Sequence, residues 1–157
     1  MKEKMLSRPD FGWSYISLGG YKNRLSYLTN LPIEWLNAAI YGLENLTPFA
    51  VHGFCEPGRL LCLVSYWNCH VIFEDERSKS IAKDELMTDI ANVSMLDFCI
   101  MLRDDISDDL DAWCNWDDCN NEKTIKEMKV KLAELLDRLS ELIIKQAEHF
   151  GENRCFF

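Results

Sequence analysis

The chain reads as α+β: a small antiparallel β-meander near the N-terminus packed with helices, and a C-terminal half that is helical. Three features predict this. Residues 49–55 and 60–66 form two apolar-rich runs separated by Glu56-Pro57-Gly58-Arg59, and Pro-Gly suits the two centre positions of a type II turn. From about Ser80 onward, apolar residues recur every three or four positions, the period of a helix. At 157 residues, with 48% apolar and 27% charged residues, the chain has the size and balance of one globular domain spanning 1–157.

Residues 11–18 alternate loosely and end at Gly19-Gly20, which predicts a strand and a turn. A helix is expected over about 32–43, where Ile33, Leu36, Ala39 and Ile40 keep helical spacing behind Pro32 in the first turn. The meander covers 48–75, with Trp67-Asn68 as its second turn and 69–73 as its third strand. Ser94-x-x-Asp97 matches a capping box. Behind it, Met95, Phe98, Cys99, Leu102, Ile106, Leu110 and Trp113 favour a single long helix, which Ser107 could split. In the last helix, Ile125, Met128, Leu132, Leu135, Leu139 and Leu142 form one stripe, and Gly151 sits where a C-cap belongs. Core packing is the simpler reading of that stripe, and a coiled-coil seam the sharper one.

Charge is distributed unevenly. The formal net charge is -9, but residues 1–73 carry 5 acids and 6 bases and residues 119–157 carry 7 of each. Residues 74–118 hold 14 acids against 4 bases, so one segment accounts for the whole imbalance. The last helix balances itself through Glu122 to Lys126, Glu127 to Lys131, Glu134 to Arg138 and Glu141 to Lys145, in the favourable i,i+4 orientation. The preceding helix instead sets Asp104, Asp105, Asp108, Asp109 and Asp111 beside one another, an arrangement expected to cost about 1–2 kcal/mol in like-charge contacts. A solvated acidic face that promotes solubility is one explanation. The other is a docking surface for a basic protein, with Trp116 as aromatic anchor and Asp117 and Asp118 beside it.

The composition also excludes several classes. An acidic chain with a pI near 4.8 repels phosphate backbones and anionic lipid, so direct nucleic-acid or membrane binding is not expected. No run approaches the roughly 20 apolar residues of a membrane span, and no secretory leader is recognisable before Pro9. Seven cysteines without that leader predict free thiols in a reducing, cytoplasmic setting. The glycines form neither Gly-x-Gly-x-x-Gly nor a P-loop, and no Gly-x-Ser-x-Gly elbow occurs. Asp104-Asp105-x-x-Asp108-Asp109 is a single acidic motif in a short chain, and neither it nor the following aspartates have the glycine that a calcium loop requires. No cofactor and no catalysis are therefore expected. The competing reading is a small enzyme or zinc protein built on His52, Cys55, Cys69 and His70, with Cys62, Cys114 and Cys119 as further ligands, although no paired Cys-x-x-Cys is present.

In size, charge and its acidic aspartate run, the chain resembles the immunity proteins with which bacteria neutralise their own secreted toxins. That resemblance rests on Asp104, Asp105, Asp108, Asp109 and Asp111 together with Trp116. It implies a non-catalytic protein whose carboxylates occupy the cleft of a basic toxin domain, such as a nuclease, where substrate phosphates would otherwise lie.

Overall fold

The computed structural model describes residues 3–74 and 86–151. Trp13–Leu18 (β1) and Tyr21–Ser26 (β2) form an antiparallel hairpin turning at Gly19-Gly20. Leu31–Asn45 is helix α1, which starts one residue before Pro32 and closes on Leu46 in the left-handed conformation. Phe49–Phe54 (β3), Arg59–Val64 (β4), Cys69–Glu74 (β5) and Leu86–Ala91 (β6) make a four-stranded antiparallel sheet in chain order. Met95–Asp108 (α2), Leu110–Cys114 (α3) and Glu122–Gln146 (α4) follow, and a 3-10 turn at Ala147–Phe150 ends the described chain. The chain is thus α+β, with a helical C-terminal half.

The inner and outer faces of the sheet follow from strand alternation. Val51, Leu60, Cys62, Val64, Cys69 and Val71 are buried, while Ala50, His52, Leu61 and Leu63 face outward. α1 packs on β3 and against α4, with α2 also on α4. Trp35 lies within 6.3 Å of Phe98, whose ring meets Phe49 edge-on at 5.7 Å, so one aromatic cluster joins α1, α2 and the sheet. The Trp35 indole N–H donates to the His52 carbonyl at 2.9 Å, tying α1 to β3. From α4, Gln146 Nε2 donates to the Leu43 carbonyl at 3.1 Å, satisfying an end carbonyl of α1.

The chain before β1 is part of the same core. Leu6 bridges to Ile16, and Ser7 N–H and Ser17 N–H exchange bonds with Tyr15 and Met5 carbonyls, so residues 5–7 run beside β1. Met5 and Leu6 are buried.

Several expectations are corrected. Strand β2 was not anticipated; its half-buried, partly charged residues give little alternation. β6 occupies residues expected to be helical, because pairing with β5 overrides a weak local preference. The expected helix start at Ser80 and meander end at Asp75 lie outside the described residues. The β3–β4 turn is centred on Glu56 and Pro57, joined by a cis peptide bond, with Cys55 N–H donating to the Gly58 carbonyl; it is not the type II turn expected at Pro57-Gly58. The long acidic helix breaks at Asp109 rather than Ser107. Gly151 is extended, with φ -69° and ψ 150°, and so does not act as a left-handed C-cap. Of the last-helix stripe, Leu132, Leu139 and Leu142 are core, whereas Ile125, Met128 and Leu135 are only partly buried and Leu136 and Ile143, outside the stripe, are buried instead.

Candidate functional site

The five aspartates of the run from Asp104 to Asp111 have separate environments. Asp105 is buried, and its Oδ2 accepts the backbone N–H groups of Met5 at 2.8 Å and Leu6 at 2.9 Å. Asp109 pairs with Lys4 at 2.6 Å, while Asp108 lies 4.0 Å from the same ammonium. That pairing holds the Lys4 ammonium above its ordinary value, chiefly through the hydrogen bond to Asp109. Asp104 meets Arg103 at 2.9 Å, and Asp111 meets Lys129 of α4 at 3.2 Å. The repulsion expected within the segment is therefore offset by bases, two of them distant in sequence. Asp105 is a fold-holding group, not a surface carboxylate.

Trp116 is a second correction. It was expected to be an exposed anchor, but it is buried, donates its indole N–H to the Thr29 carbonyl at 2.8 Å, and lies 5.2 Å from the Trp113 ring. α3 ends at Cys114, and the turn that follows folds Trp116 inward while leaving Asp117 and Asp118 exposed. Asn115 Oδ1 accepts the Asn120 N–H at 3.0 Å, and Asp118 and Asn120 have positive φ, which fixes that turn.

Two adjoining hollows lie over α3. One, of about 350 Å³, includes Asp108, Asp109, Asp111 and Lys129; the other, of about 250 Å³, includes Asp10, Phe11, Asp111 and Asp118. Both include Arg8, Asp111 and Ala112 and so form one acidic surface. Phe11 stands at its edge, 76% exposed. It occupies the first centre position of a two-residue turn in which Asp10 and Trp13 exchange both backbone hydrogen bonds. Phe11 and Gly12 have φ of 49° and 78°, the positive pair of a type I′ turn, which bulky residues seldom adopt. A Cβ at Gly12 would come within 2.8 Å of the Tyr27 ring, so this turn packs against the Tyr27 stretch.

That stretch borders a third concavity of about 180 Å³, between residues 27–30 and the α3–α4 junction. Its apolar walls include Tyr27, Leu28, Trp116 and Met128, and its polar lining is Thr29, Asn30, Asp117 and Thr124. Thr29 Oγ1 is buried and has no hydrogen-bond partner among the described residues. The Asn121 side chain caps α4 by accepting the Thr124 N–H at 3.1 Å.

Cys62, Cys69 and Cys99 lie together in the core, but the histidines and the other expected ligands do not join them. Cys69 faces the core while His70, one residue on, faces outward; His52 is likewise on the outer face. Cys114 is buried and Cys119 exposed. Among the described residues, no group of three His, Cys, Asp or Glu side chains could hold a metal ion. Cys62 is held well above its ordinary value, first by a hydrogen bond with Cys69 and then by burial, and burial pushes the Cys99 thiol up to about 12. Such thiols are poor nucleophiles.

Phe11, Tyr27 and Leu28 were not anticipated as surface features. The only local signal was Gly12, since a residue followed by glycine between strand-like runs can mark a two-residue turn. Tyr27 and Leu28 look like ordinary core residues in sequence. The chain matches no protein-family model, no curated protein and no solved structure. No described helix is long and apolar enough to cross a membrane.

Proposed function

We propose that this chain is a non-catalytic binding protein that neutralises a basic protein partner, in the manner of an immunity protein acting on a toxin domain. The observation that carries the proposal is the exposed Phe11, held in an unfavourable backbone conformation beside Asp10, Asp111 and Asp118. A solvent-facing phenylalanine gives the fold little burial in return for that conformation, so selection for another role is the more economical explanation. Aromatic side chains ringed by carboxylates suit a cationic surface, with the ring supplying contact area and the charges speeding encounter.

The contact set is narrower than the acidic run suggests. Asp104, Asp105 and Asp109 are occupied by Arg103, by the N-terminal backbone and by Lys4. Asp111 remains 88% exposed at its side chain despite Lys129, and exposed ion pairs of that kind contribute little and exchange readily. Asp108, Asp117 and Asp118 are exposed as well. Together with Asp10 they form the surface proposed to meet the partner.

The test is capture of a cationic partner on immobilised protein, followed by kinetics with purified components. Asp10→Asn, Asp111→Asn and Asp118→Asn combined should slow association and flatten its salt dependence with little change in dissociation. Association rates equal to those of the parent chain at every salt concentration would reject this surface.

A further inference from the structure

We infer that the concavity between residues 27–30 and the α3–α4 junction receives a single lysine or arginine side chain from the basic partner. The inference rests on the function proposed above and specifies which contact would confer selectivity.

Size is the first consideration. At about 180 Å³ the concavity falls below the ~300–1,000 Å³ typical of sites for whole small molecules, but it can admit one side chain. Charge is the second. The two hollows over α3 already contain Arg8 and Lys129, whereas Asp117 is the one charged residue lining this cleft among the described residues. An incoming cation therefore has no resident base to displace. The positive end of α4 is nearby, but the Asn121 side chain caps it and Glu122 sits in its first turn, so it does not cancel Asp117.

The walls suit the rest of such a side chain. Leu28 and Met128 offer apolar surface for an alkyl stem, and Tyr27, half-exposed, adds an aromatic ring to the lining. Trp116 contributes ring surface only, because its N–H is committed to the Thr29 carbonyl. Thr29, another lining residue, has a buried Oγ1 with no partner among the described residues. Asp117, whose Oδ1 accepts the Cys119 N–H at 3.4 Å, would repel an anion, and a purely apolar group would leave its charge without a counterion.

Amide-resolved NMR of the intact chain tests this with four probes: Nα-acetyl-arginine methylamide, its lysine counterpart, and the norleucine and glutamate counterparts as controls. The two cationic probes should move the Thr29 amide and the Trp116 indole N–H saturably at up to about 10 mM, a range suited to a single weak contact. The norleucine and glutamate probes should not. Asp117→Asn should weaken the cationic probes by about tenfold, as loss of one charge-assisted contact would, and Asp137→Asn, an exposed α4 residue outside the cleft lining, should leave them unchanged. Cationic shifts confined to Asp10 and Asp111, or surviving Asp117→Asn, would overturn the cleft assignment and leave the proposed function standing. Absence of saturable shifts at Thr29 and Trp116 would overturn it too. The proposed function itself fails only on the kinetics of the Asp10, Asp111 and Asp118 variant.

Discussion

The carboxylate of Asp105 is bonded to the backbone of Leu6, 99 residues earlier in the chain, at 2.9 Å. The same oxygen takes the Met5 N–H, so one α2 side chain satisfies two donors of a segment that would otherwise end against the core. Asp105→Ala should leave both amides without an acceptor and lower stability by about 2–4 kcal/mol in urea unfolding. Asp105→Asn retains an acceptor oxygen and should cost less, and Asp108→Asn should stay within about 0.5 kcal/mol. Equal effects at Asp105 and Asp108 would mean that Asp105 does not hold the N-terminus.

Trp116 provides a second contrast with its expected surface role. Its burial, its ring contact with Trp113 and its bond to Thr29 predict that Trp116→Ala costs about 3–5 kcal/mol. Trp116→Phe keeps most of the ring volume and should cost about 1–2 kcal/mol, mainly from the lost N–H. A tryptophan fluorescence spectrum typical of an exposed indole in a Trp116-only variant would contradict this placement.

Phe11→Asn converts the turn into Asn-Gly, the pair that type I′ hairpins favour. Removing a bulky residue from φ 49° should raise stability by about 1 kcal/mol, or about 2–4 °C in midpoint. The same change should speed release of the basic partner. Stability and binding moving in the same direction would remove the reason for regarding Phe11 as an anchor.

Gly42 lies inside α1, where alanine would ordinarily add about 1 kcal/mol. A Cβ there would come within 2.1 Å of the Phe49 ring, which is itself buried against Phe98. Gly42→Ala should therefore destabilise the chain by about 1–3 kcal/mol in thermal unfolding. A stabilised variant would show that α1 and β3 are less tightly apposed.

Alkaline pH should weaken the fold. Burial pushes the Tyr21 phenol up to about 12 from 10.0, partly opposed by the bond from Asn23. Between those values the folded chain retains a proton that the unfolded chain releases. This contribution is complete below pH 10.0 and disappears as pH rises to about 12. Lys4, also raised from 10.5 by Asp109, acts in the same direction. Absorbance titration should show a late tyrosine ionisation that disappears in Tyr21→Phe, and an unchanged high-pH step in that variant would refute the assignment.

The contrast between α1 and β6 shows how much of the fold was readable from local sequence. α1 declares itself through Pro32 and a stripe of Ile33, Leu36 and Ala39, because each turn of a helix is bonded within the helix. The Ser94 cap is equally local, and its Oγ accepts the Asp97 N–H at 3.0 Å. β6 has no such internal bonding, and its identity depends on the register Ile90 to His70 and Ala91 to Cys69. The α+β class and the free character of the described cysteines were likewise legible from composition and pattern.

The acidic surface was legible only as a count of charges. Sequence by itself determined that residues 74–118 carry the excess of carboxylates and that the last helix carries matched charges. Tertiary structure decided which carboxylates remain available, since Lys4 and Lys129 reach Asp109 and Asp111 from 105 and 18 residues away. It also turned Trp116 inward and left Phe11 outside. The physical reason is reach: backbone periodicity acts over a few residues, whereas ion pairing and burial depend on distances in space that only the folded chain defines.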